Sequence, residues 1–395
     1  MSKVEITKIT DRTGSGAPNF TNGFNIAGAD SGISGFTHTE GSSEPSNPSN
    51  GDTWWDSGND IYKVYMNNAW QDFLGSSAPA AIAWGGDRGF HIGGGDSSSS
   101  KNQIQYFDIT TSGNAQDFGD INASYSREGS GLSSGSRIVI SIGNEHSGAS
   151  SSGRTNKLEY FASATTGNAS SFGTLSALKQ DAASSSNGTR GVFAGGVSAG
   201  GSSGLRNEIE YITIANTGNA ADFGDLLNPS FARSGVGGST RGLFNSGRLW
   251  FQNSPSQLNN IEYITIATTG NATNFGETSQ NCYYSAAASD ATRAIIAAGG
   301  GFGDTVGNST MEYVTVDTTG NATDFGDLTN NPVAKNLSGC ANSTYATFSG
   351  GIETTGYTYQ NIINRVTVQT AGNATDHGDL ATATMDAAAA SGNAS

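Results

Sequence analysis

The most regularly spaced carboxylates in this chain flank a Phe-Gly dipeptide or, in the last copy, His377-Gly378. Asp117 and Asp120 form the first pair, and further pairs are Asp222 with Asp225, Asp324 with Asp327 and Asp376 with Asp379. Calcium prefers several carboxylate and carbonyl oxygens, so this spacing could form a repeated calcium site. In another copy of the motif, however, Ser171 and Thr174 replace both acids. Capping of a turn by short polar side chains explains every copy, so we expect no metal.

Other residues that could do chemistry lack the partners that the chemistry needs. The Asp-Phe-Gly triplet holds Mg²⁺ in protein kinases, but the Gly-rich loop, strand lysine and catalytic loop of kinases are missing here. The histidines are scattered, no Cys/His group has zinc spacing, and no G-x-S-x-G elbow occurs. Glu159, Glu210, Glu262 and Glu312 occupy equivalent positions, which indicates a structural role. We expect neither an enzyme nor a cofactor.

These residues belong to a repeat that covers most of the chain. A Gly-Asn pair recurs every 50 to 54 residues, at Gly113, Gly167, Gly218, Gly270, Gly320 and Gly372. A fixed period of this length predicts a propeller or a solenoid. Each copy contains runs such as TRGVFAGG (189–196) and IEYITIA (209–215), whose β-branched and aromatic residues predict strands. Four strands for each copy favour a propeller blade.

Positions within each copy predict how the strands pack. Ile209 and Tyr211 should point to one face of their strand and Ile212 and Ile214 to the other, so the sheet should be buried on both faces. The Gly-Asn pair should form the turn between the third and fourth strands, because Gly and Asn tolerate positive φ. An aromatic residue follows each turn and should pack between neighbouring blades: Phe118, Phe172, Phe223, Phe275, Phe325 and, in the last copy, His377.

The repeat resembles the kelch-type β-propeller. In that family a blade has a strand that ends in a Gly doublet, a strand with a Tyr, and an outer strand with a large aromatic residue. Gly195-Gly196 and Tyr211 match the first two features. The chain departs from the pattern in its outer Phe, in a degraded doublet in two copies, and in Arg365, which replaces the Tyr of the sixth copy. The resemblance implies an all-β, six-bladed kelch-like propeller over residues 77–395 and little about function.

Two segments could complete the first blade. The last residues, TMDAAAASGNAS, match KQDAASSSNGTR (179–190) at the start of the third blade, and they stop where the next strand would begin. We therefore predict that this tail supplies the inner strand of the first blade, which would leave no exposed sheet edge. The segment 79–86, PAAIAWGG, remains the alternative.

Residues 1–76 do not carry the repeat. Residues 1–40 are Gly-rich with little to bury, which predicts an extended N-terminal arm that orders on docking, with Phe20 and Phe24 as docking residues. Residues 41–76 contain three short apolar runs split by turns, which predict a small β-meander with Trp54, Trp55 and Trp70 as its core. Stacking of these tryptophans on sugars is the alternative.

The arm and meander resemble the N-terminal parts of bacteriophage tail-fibre and other virion proteins, in which GDTWWD-type modules join an attachment segment to a distal domain. The resemblance implies a non-enzymatic phage component, tail- or fibre-associated, made in the host cytoplasm and located in the virion. Its arm would bind other virion proteins, and the copy number would follow virion symmetry.

Composition narrows the possible partners. The formal charge of −15 and the absence of a basic patch argue against nucleic acid. No apolar run is long enough to span a membrane, and no secretion signal is visible. The two cysteines, Cys282 and Cys340, fall at different offsets in adjacent repeats, so we expect reduced buried thiols.

Two loops break the repeat and offer aromatic side chains for recognition. The loop 247–257 contains Trp250 and Phe251, and the loop 353–361 contains Tyr357 and Tyr359. Aromatic residues on such loops suit contacts with a protein or a host surface glycan. Two other functions stay open. A carbohydrate-binding or capsule-degrading propeller would show clustered carboxylates in its central cleft, and a purely architectural head-decoration or tail-adaptor protein would have its faces covered.

Overall fold

The computed structural model describes residues 38–57, 61–66, 69–72, 85–96, 99–146, 153–199, 202–249, 257–281, 283–300, 308–329, 334–353 and 356–394. These residues contain a 3₁₀ turn at Ser202–Gly204 and no α-helix, which confirms the predicted all-β class. The chain divides into two compact units, Met1–Ala80 and Ala81–Ser395.

The first unit holds a small sheet with strands β1 (His38–Gly41), β2 (Thr53–Asp56), β3 (Ile61–Met66) and β4 (Ala69–Asp72). Strands β2 to β4 are antiparallel neighbours, and β1 adds to β2 in parallel. Trp54 is buried and meets Trp70 edge to face at 5.6 Å, while its Nε1 donates to the carbonyl of Gly41. Trp55 packs against Tyr62 instead. Phe20 and Phe24 lie outside the described residues.

The described part of the second unit is built from short strands. In chain order they are β5 (Arg88–Ile92), β6 (Gln103–Asp108), β7 (Gln116–Asp120), β8 (Ser130–Ser133), β9 (Arg137–Ser141), β10 (Lys157–Ala162), β11 (Ser170–Thr174), β12 (Ala183–Ser186), β13 (Arg190–Ala194), β14 (Glu208–Thr213), β15 (Ala221–Asp225), β16 (Ser234–Gly237), β17 (Arg241–Arg248), β18 (Gln257–Thr265), β19 (Thr273–Glu277), β20 (Ala286–Ser289), β21 (Arg293–Ala297), β22 (Thr310–Thr315), β23 (Thr323–Asp327), β24 (Ala334–Lys335), β25 (Ser338–Ala341), β26 (Tyr345–Ser349), β27 (Ile352–Glu353), β28 (Ile362–Thr367), β29 (Thr375–Asp379) and β30 (Ala388–Gly392).

Within these residues the strands form six four-stranded antiparallel sheets, and β24 pairs with β27. The orders, for sheets 1 to 6, are β30-β5-β6-β7, β8-β9-β10-β11, β12-β13-β14-β15, β16-β17-β18-β19, β20-β21-β22-β23 and β25-β26-β28-β29. We call the strands of each sheet a, b, c and d in this order. The a strands contact one another in cyclic order, and the C-terminal strand β30 completes sheet 1 by pairing with β5. The tail therefore supplies the inner strand, as predicted.

Apolar clusters fill the spaces between neighbouring sheets. Ile209 and Tyr211 of sheet 3 pack with sheet 4, whereas Ile212 and Ile214 pack with sheet 2, so both faces are buried as predicted. Phe118 meets Phe161 of sheet 2 at 5.3 Å. Four further outer-strand rings are buried at equivalent positions: Phe172, Phe223, Phe275 and Phe325.

Two residues differ from this apolar pattern between sheets 6 and 1. His377 is buried where the other sheets have Phe, and its Nε2 lies 2.7 Å from the carbonyl oxygen of Asp108. Cys340 is a buried free thiol, as predicted, and burial raises its pKa to about 11. Cys282 lies outside the described residues.

Each Gly-Asn turn fastens its sheet to the preceding one. In sheet 3 the amide of Gly218 donates to the carbonyl of Phe172, and the Asn219 side chain accepts the amide of Thr174 at 3.1 Å. The same pair of bonds occurs at all six interfaces, including the turn of sheet 1 on β29 of sheet 6. None of the six asparagines has a positive φ. The predicted reason for Asn was therefore wrong, because this residue is an acceptor between sheets.

A stacked Arg and Tyr also join neighbouring sheets. In sheet 3 the guanidinium of Arg190 lies 4.4 Å from the ring centroid of Tyr211 and donates to the carbonyl of Ile266 in sheet 4. Sheets 1 to 5 carry the Arg on strand b and the Tyr on strand c. Sheet 6 reverses them, with Tyr345 on strand b and Arg365 on strand c at 4.6 Å.

Candidate binding site at the axial ring

Six residues, one from each sheet, lie two positions before the a strands. They are Glu128, Asp181, Ala232, Tyr284, Asn336 and Asp386, which we call the axial ring. All six are non-glycine residues with φ between 56° and 61°, a conformation that L-residues adopt at a cost. Each amide donates to the carbonyl of the ring residue in the preceding sheet, and Glu128 donates to Asp386, so the bonds close on themselves. The backbone is thus the same at six positions whose side chains differ.

Buried acceptors on strand c position the segments that lead to this ring. Glu210 Oε1 accepts the amide of Ser176 at 2.6 Å, and Glu262 Oε2 accepts the amide of Leu227 at 2.8 Å. Glu159 and Glu312 make equivalent bonds, while Gln105 and Asn364 do so in sheets 1 and 6. A buried amide needs a partner, so these side chains hold the d-to-a connections in place.

Three carboxylates of the axial ring come from the adjacent sheets 1 to 3. They line a cavity of about 140 Å³ together with the a strands. Both carboxylate oxygens of Asp386 have partners. Arg127 Nε lies 2.8 Å from its Oδ2, and the side chain of Asn336 donates to its Oδ1. Asp181 is 8% exposed and receives a long bond of 3.4 Å from Gln180. Among the described residues, Glu128 Oε2 is buried without a hydrogen-bond partner.

Burial and mutual repulsion perturb these acids. Burial and then the charge of Asp386 raise the pKa of Glu128 to about 7, against the opposing charges of Arg127 and Arg154. Burial, followed by the charges of Glu128 and Asp386, raises the pKa of Asp181 well above its usual range. Ionisation of Glu128 and Asp181 near neutral pH therefore costs free energy. A cation that entered the cavity would reduce this cost.

The other half of the axial ring consists of the neutral residues Ala232, Tyr284 and Asn336. Tyr284 packs edge to face against Phe231 at 6.5 Å, and it meets Tyr283 at 5.2 Å with the two rings tilted. Burial, and then the charges of the ring carboxylates, raise the pKa of Tyr284, so its phenol lies within their field. Arg233, 6% exposed, also lines the cavity and is neutralised by Glu262, whose Oε1 lies 2.8 Å from its Nη2. Arg233 Nη1 is buried without a hydrogen-bond partner among the described residues.

The predicted recognition residues have different positions. Trp250 and Phe251 lie outside the described residues. Tyr357 is 56% exposed, and Tyr359 is half-buried and bridges to Ile352. Both tyrosines belong to the b-to-c segment of sheet 6, which lies at the same end of the strands as the axial ring. These tyrosines therefore belong to the end of the unit that carries the acidic cluster.

Sequence reasoning missed the axial ring itself. Its members share a backbone conformation but no side-chain type, so no motif marks them. The sequence signal that could have identified the ring is the variable residue two positions before each Ser/Ala/Gly-rich inner strand.

The described residues contain no group of three or more His, Cys, Asp and Glu side chains arranged to hold a metal ion. Across the same ranges, no helix is long and apolar enough to cross a membrane.

Comparisons with known proteins inform the fold. No protein-family model matches the chain, and no curated protein matches it. Among the solved structures that match, the structure of YjhT, a kelch-type propeller, aligns with a TM-score of 0.53 at 9% identity. The alignment covers 66% of this chain and 86% of that chain. At this identity the similarity shows the fold alone, and the fold is a β-propeller.

Proposed function

We propose that this protein is a non-enzymatic structural component of a bacteriophage particle, associated with the tail or a fibre. Its N-terminal arm binds other virion proteins, and its second unit is a six-bladed kelch-like propeller that binds a protein or the host surface. Cyclic contact of the six a strands supports the six-bladed form. The separate Trp-rich sheet between arm and propeller supports the resemblance to virion attachment modules.

One observation carries the binding role. The large apolar side chains that are exposed among the described residues are Leu178, Leu227 and Tyr357. All three lie in d-to-a or b-to-c segments, at the end of the strands that carries the axial ring. The repeated Phe, Glu, Asn and Arg residues instead hold sheet to sheet. The exposed apolar residues and the cavity lie at the same end of the strands, so we assign recognition to this end.

The test is to look for the protein in purified particles of the phage that encodes it. We expect mass spectrometry to find the full chain in the particles and antibody labelling to place it on the tail or a fibre. A chain without residues 1–40 should fold but be absent from the particles. Absence of the full chain from purified particles would overturn the proposal, and label on the head would favour the architectural alternative.

A second function has its own supporting observation. Clustered carboxylates at the central cleft were the expected mark of a carbohydrate-binding or capsule-degrading propeller, and Glu128, Asp181 and Asp386 line one cavity. Release of reducing sugars from host glycan by the purified protein, lost in D181N, would establish this function. Unchanged glycan after prolonged incubation would count against the degrading enzyme.

A further inference from the structure

The charges that line the axial cavity do not balance. Arg127 pairs with Asp386, and Arg233 pairs with Glu262. Glu128 and Asp181 remain as two neighbouring carboxylates, one with an oxygen that is buried and unpaired among the described residues. Arg154 is the further cation whose charge acts on both. A second positive charge in the cavity would favour ionisation of both acids, because it would offset the burial and repulsion that raise their pKa values.

The cavity also offers a place for an apolar stem. Tyr284 faces the same cavity from the neutral half of the axial ring, within the field of the carboxylates. Aromatic rings bind cationic groups over their faces and pack well against methylene chains. A ligand that joins a cationic head to an aliphatic stem would use both halves at once.

The surroundings indicate how this ligand is presented. Leu178 lies three residues before Asp181, and Leu227 lies five before Ala232, and both are about half exposed. A free amine would leave the two leucines uncovered, whereas a protein surface can cover them.

We propose that the axial cavity receives one lysine or arginine side chain of a partner protein, with the cationic head between Glu128 and Asp181 and the stem against Tyr284. This inference deepens the proposed binding role and rests on it for the choice of face. Charge complementarity selects a basic residue, and the exposed leucines select a protein as its carrier.

The test measures binding to the full-length protein by NMR or calorimetry with three probes. They are the peptide acetyl-Gly-Lys-Gly-amide, the same peptide with norleucine, and glucosamine. We expect the lysine peptide to bind at least about tenfold more tightly than the norleucine peptide, because the two differ in the ammonium group. We also expect D181N and E128Q each to weaken lysine binding about fivefold or more, while D222N, on an exposed outer-strand acid, leaves it unchanged.

The variants are chosen to fold. Asn336 and Ala232 occupy the same backbone conformation in other sheets, so D181N and Y284A should be tolerated. Y284A should weaken lysine binding, whereas Y284F should not.

Equal binding of the lysine and norleucine peptides, or no detectable binding of either, would overturn the inference. Tighter binding of glucosamine would also overturn it and would favour glycan recognition. Lysine binding by a protein absent from virions would refute the proposed virion role but leave this inference intact.

Discussion

The two ends of the repeat unit use the same six-fold backbone in opposite ways. At the end with the Gly-Asn turns, each position carries the same residue and makes the same bonds to its neighbour. At the end with the axial ring, six equivalent backbones carry acids, an amide, a phenol and a methyl group. Where every sheet must hold its neighbour, the chemistry repeats. Where the backbone is already fixed, the side chain is free to vary, and this is where recognition can be built.

A second difference concerns the interface between the last sheet of the unit and the first. Between sheets 6 and 1, two histidines occupy positions that carry apolar residues in the other sheets. His91 lies where the other sheets have Ile or Phe, and it contacts the hydroxyls of Ser338, Ser349 and Thr384. Specific hydrogen bonds fix the alignment of two surfaces more strictly than apolar contact does. We infer that this interface obtains its register from polar groups.

The largest expected effect concerns the glycine of the Phe-Gly-Asp motif. Gly224 has φ +147°, and a Cβ there would lie 2.4 Å from the carbonyl oxygen of Gly270 in the next turn. We expect Gly224→Ala to lower the free energy of unfolding by about 3–5 kcal/mol, since both the conformation and the clash oppose it. Gly218→Ala is the matched control, because a Cβ there meets nothing within 4 Å. Equal denaturation midpoints in urea would show that the sheets do not meet in this way.

The second prediction is that acid pH destabilises the interface between sheets 6 and 1. Burial lowers the pKa of His91 to about 3, so below the unfolded value of 6.5 the unfolded chain binds the proton more readily. Stability from this group is therefore complete above about pH 6.5 and is lost as the pH falls towards 3. Between about pH 7 and pH 4 the loss should be roughly 3 kcal/mol.

The matched variant for this experiment is His91→Gln, which keeps hydrogen-bonding capacity but does not titrate in this range. Carboxylates protonate over the same pH interval in both proteins, so the difference between the two unfolding curves isolates His91. If wild type and variant lose stability in parallel, His91 is not buried as a neutral group at this interface.

Local patterns predicted much of this architecture. Alternation in IEYITI placed Ile209 and Ile212 on opposite buried faces, and the match of the tail to residues 179–190 identified the inner strand of sheet 1. Contacts between distant segments could not be predicted in this way. Nothing in the sequence pairs Asn219 with Thr174, 45 residues earlier. The axial ring was missed because its members share a φ angle rather than a side chain.

The third prediction tests whether Tyr345 and Arg365 of sheet 6 do the same task as the Arg and Tyr of sheets 1 to 5, with their strands exchanged. Arg365→Tyr should cost about 1–2 kcal/mol, because it removes the cation–π contact and the bond from Arg365 Nη1 to the carbonyl of Thr110 at 2.6 Å. The double variant Tyr345→Arg/Arg365→Tyr restores the arrangement of sheets 1 to 5 and should recover at least half of that loss. Thermal or urea unfolding of the wild type, the single variants Arg365→Tyr and Tyr345→Arg, and the double variant gives the coupling energy.

The smallest expected effect concerns the end of the sheets with the Gly-Asn turns, and it tests whether two of these turns contribute equally to stability. Asn219→Ala removes the acceptor of the Thr174 amide at a partly solvated site, which should cost about 1 kcal/mol. Asn114→Ala makes the same change at the interface between sheets 6 and 1, where the side chain accepts the amide of Asp379. If repetition at this end reflects one shared task, the two losses should agree within about 0.5 kcal/mol in urea unfolding, even though the interiors of these two interfaces differ. A clearly larger loss for Asn114→Ala would mean that the interface between sheets 6 and 1 depends on its turn more than the interface between sheets 2 and 3 does.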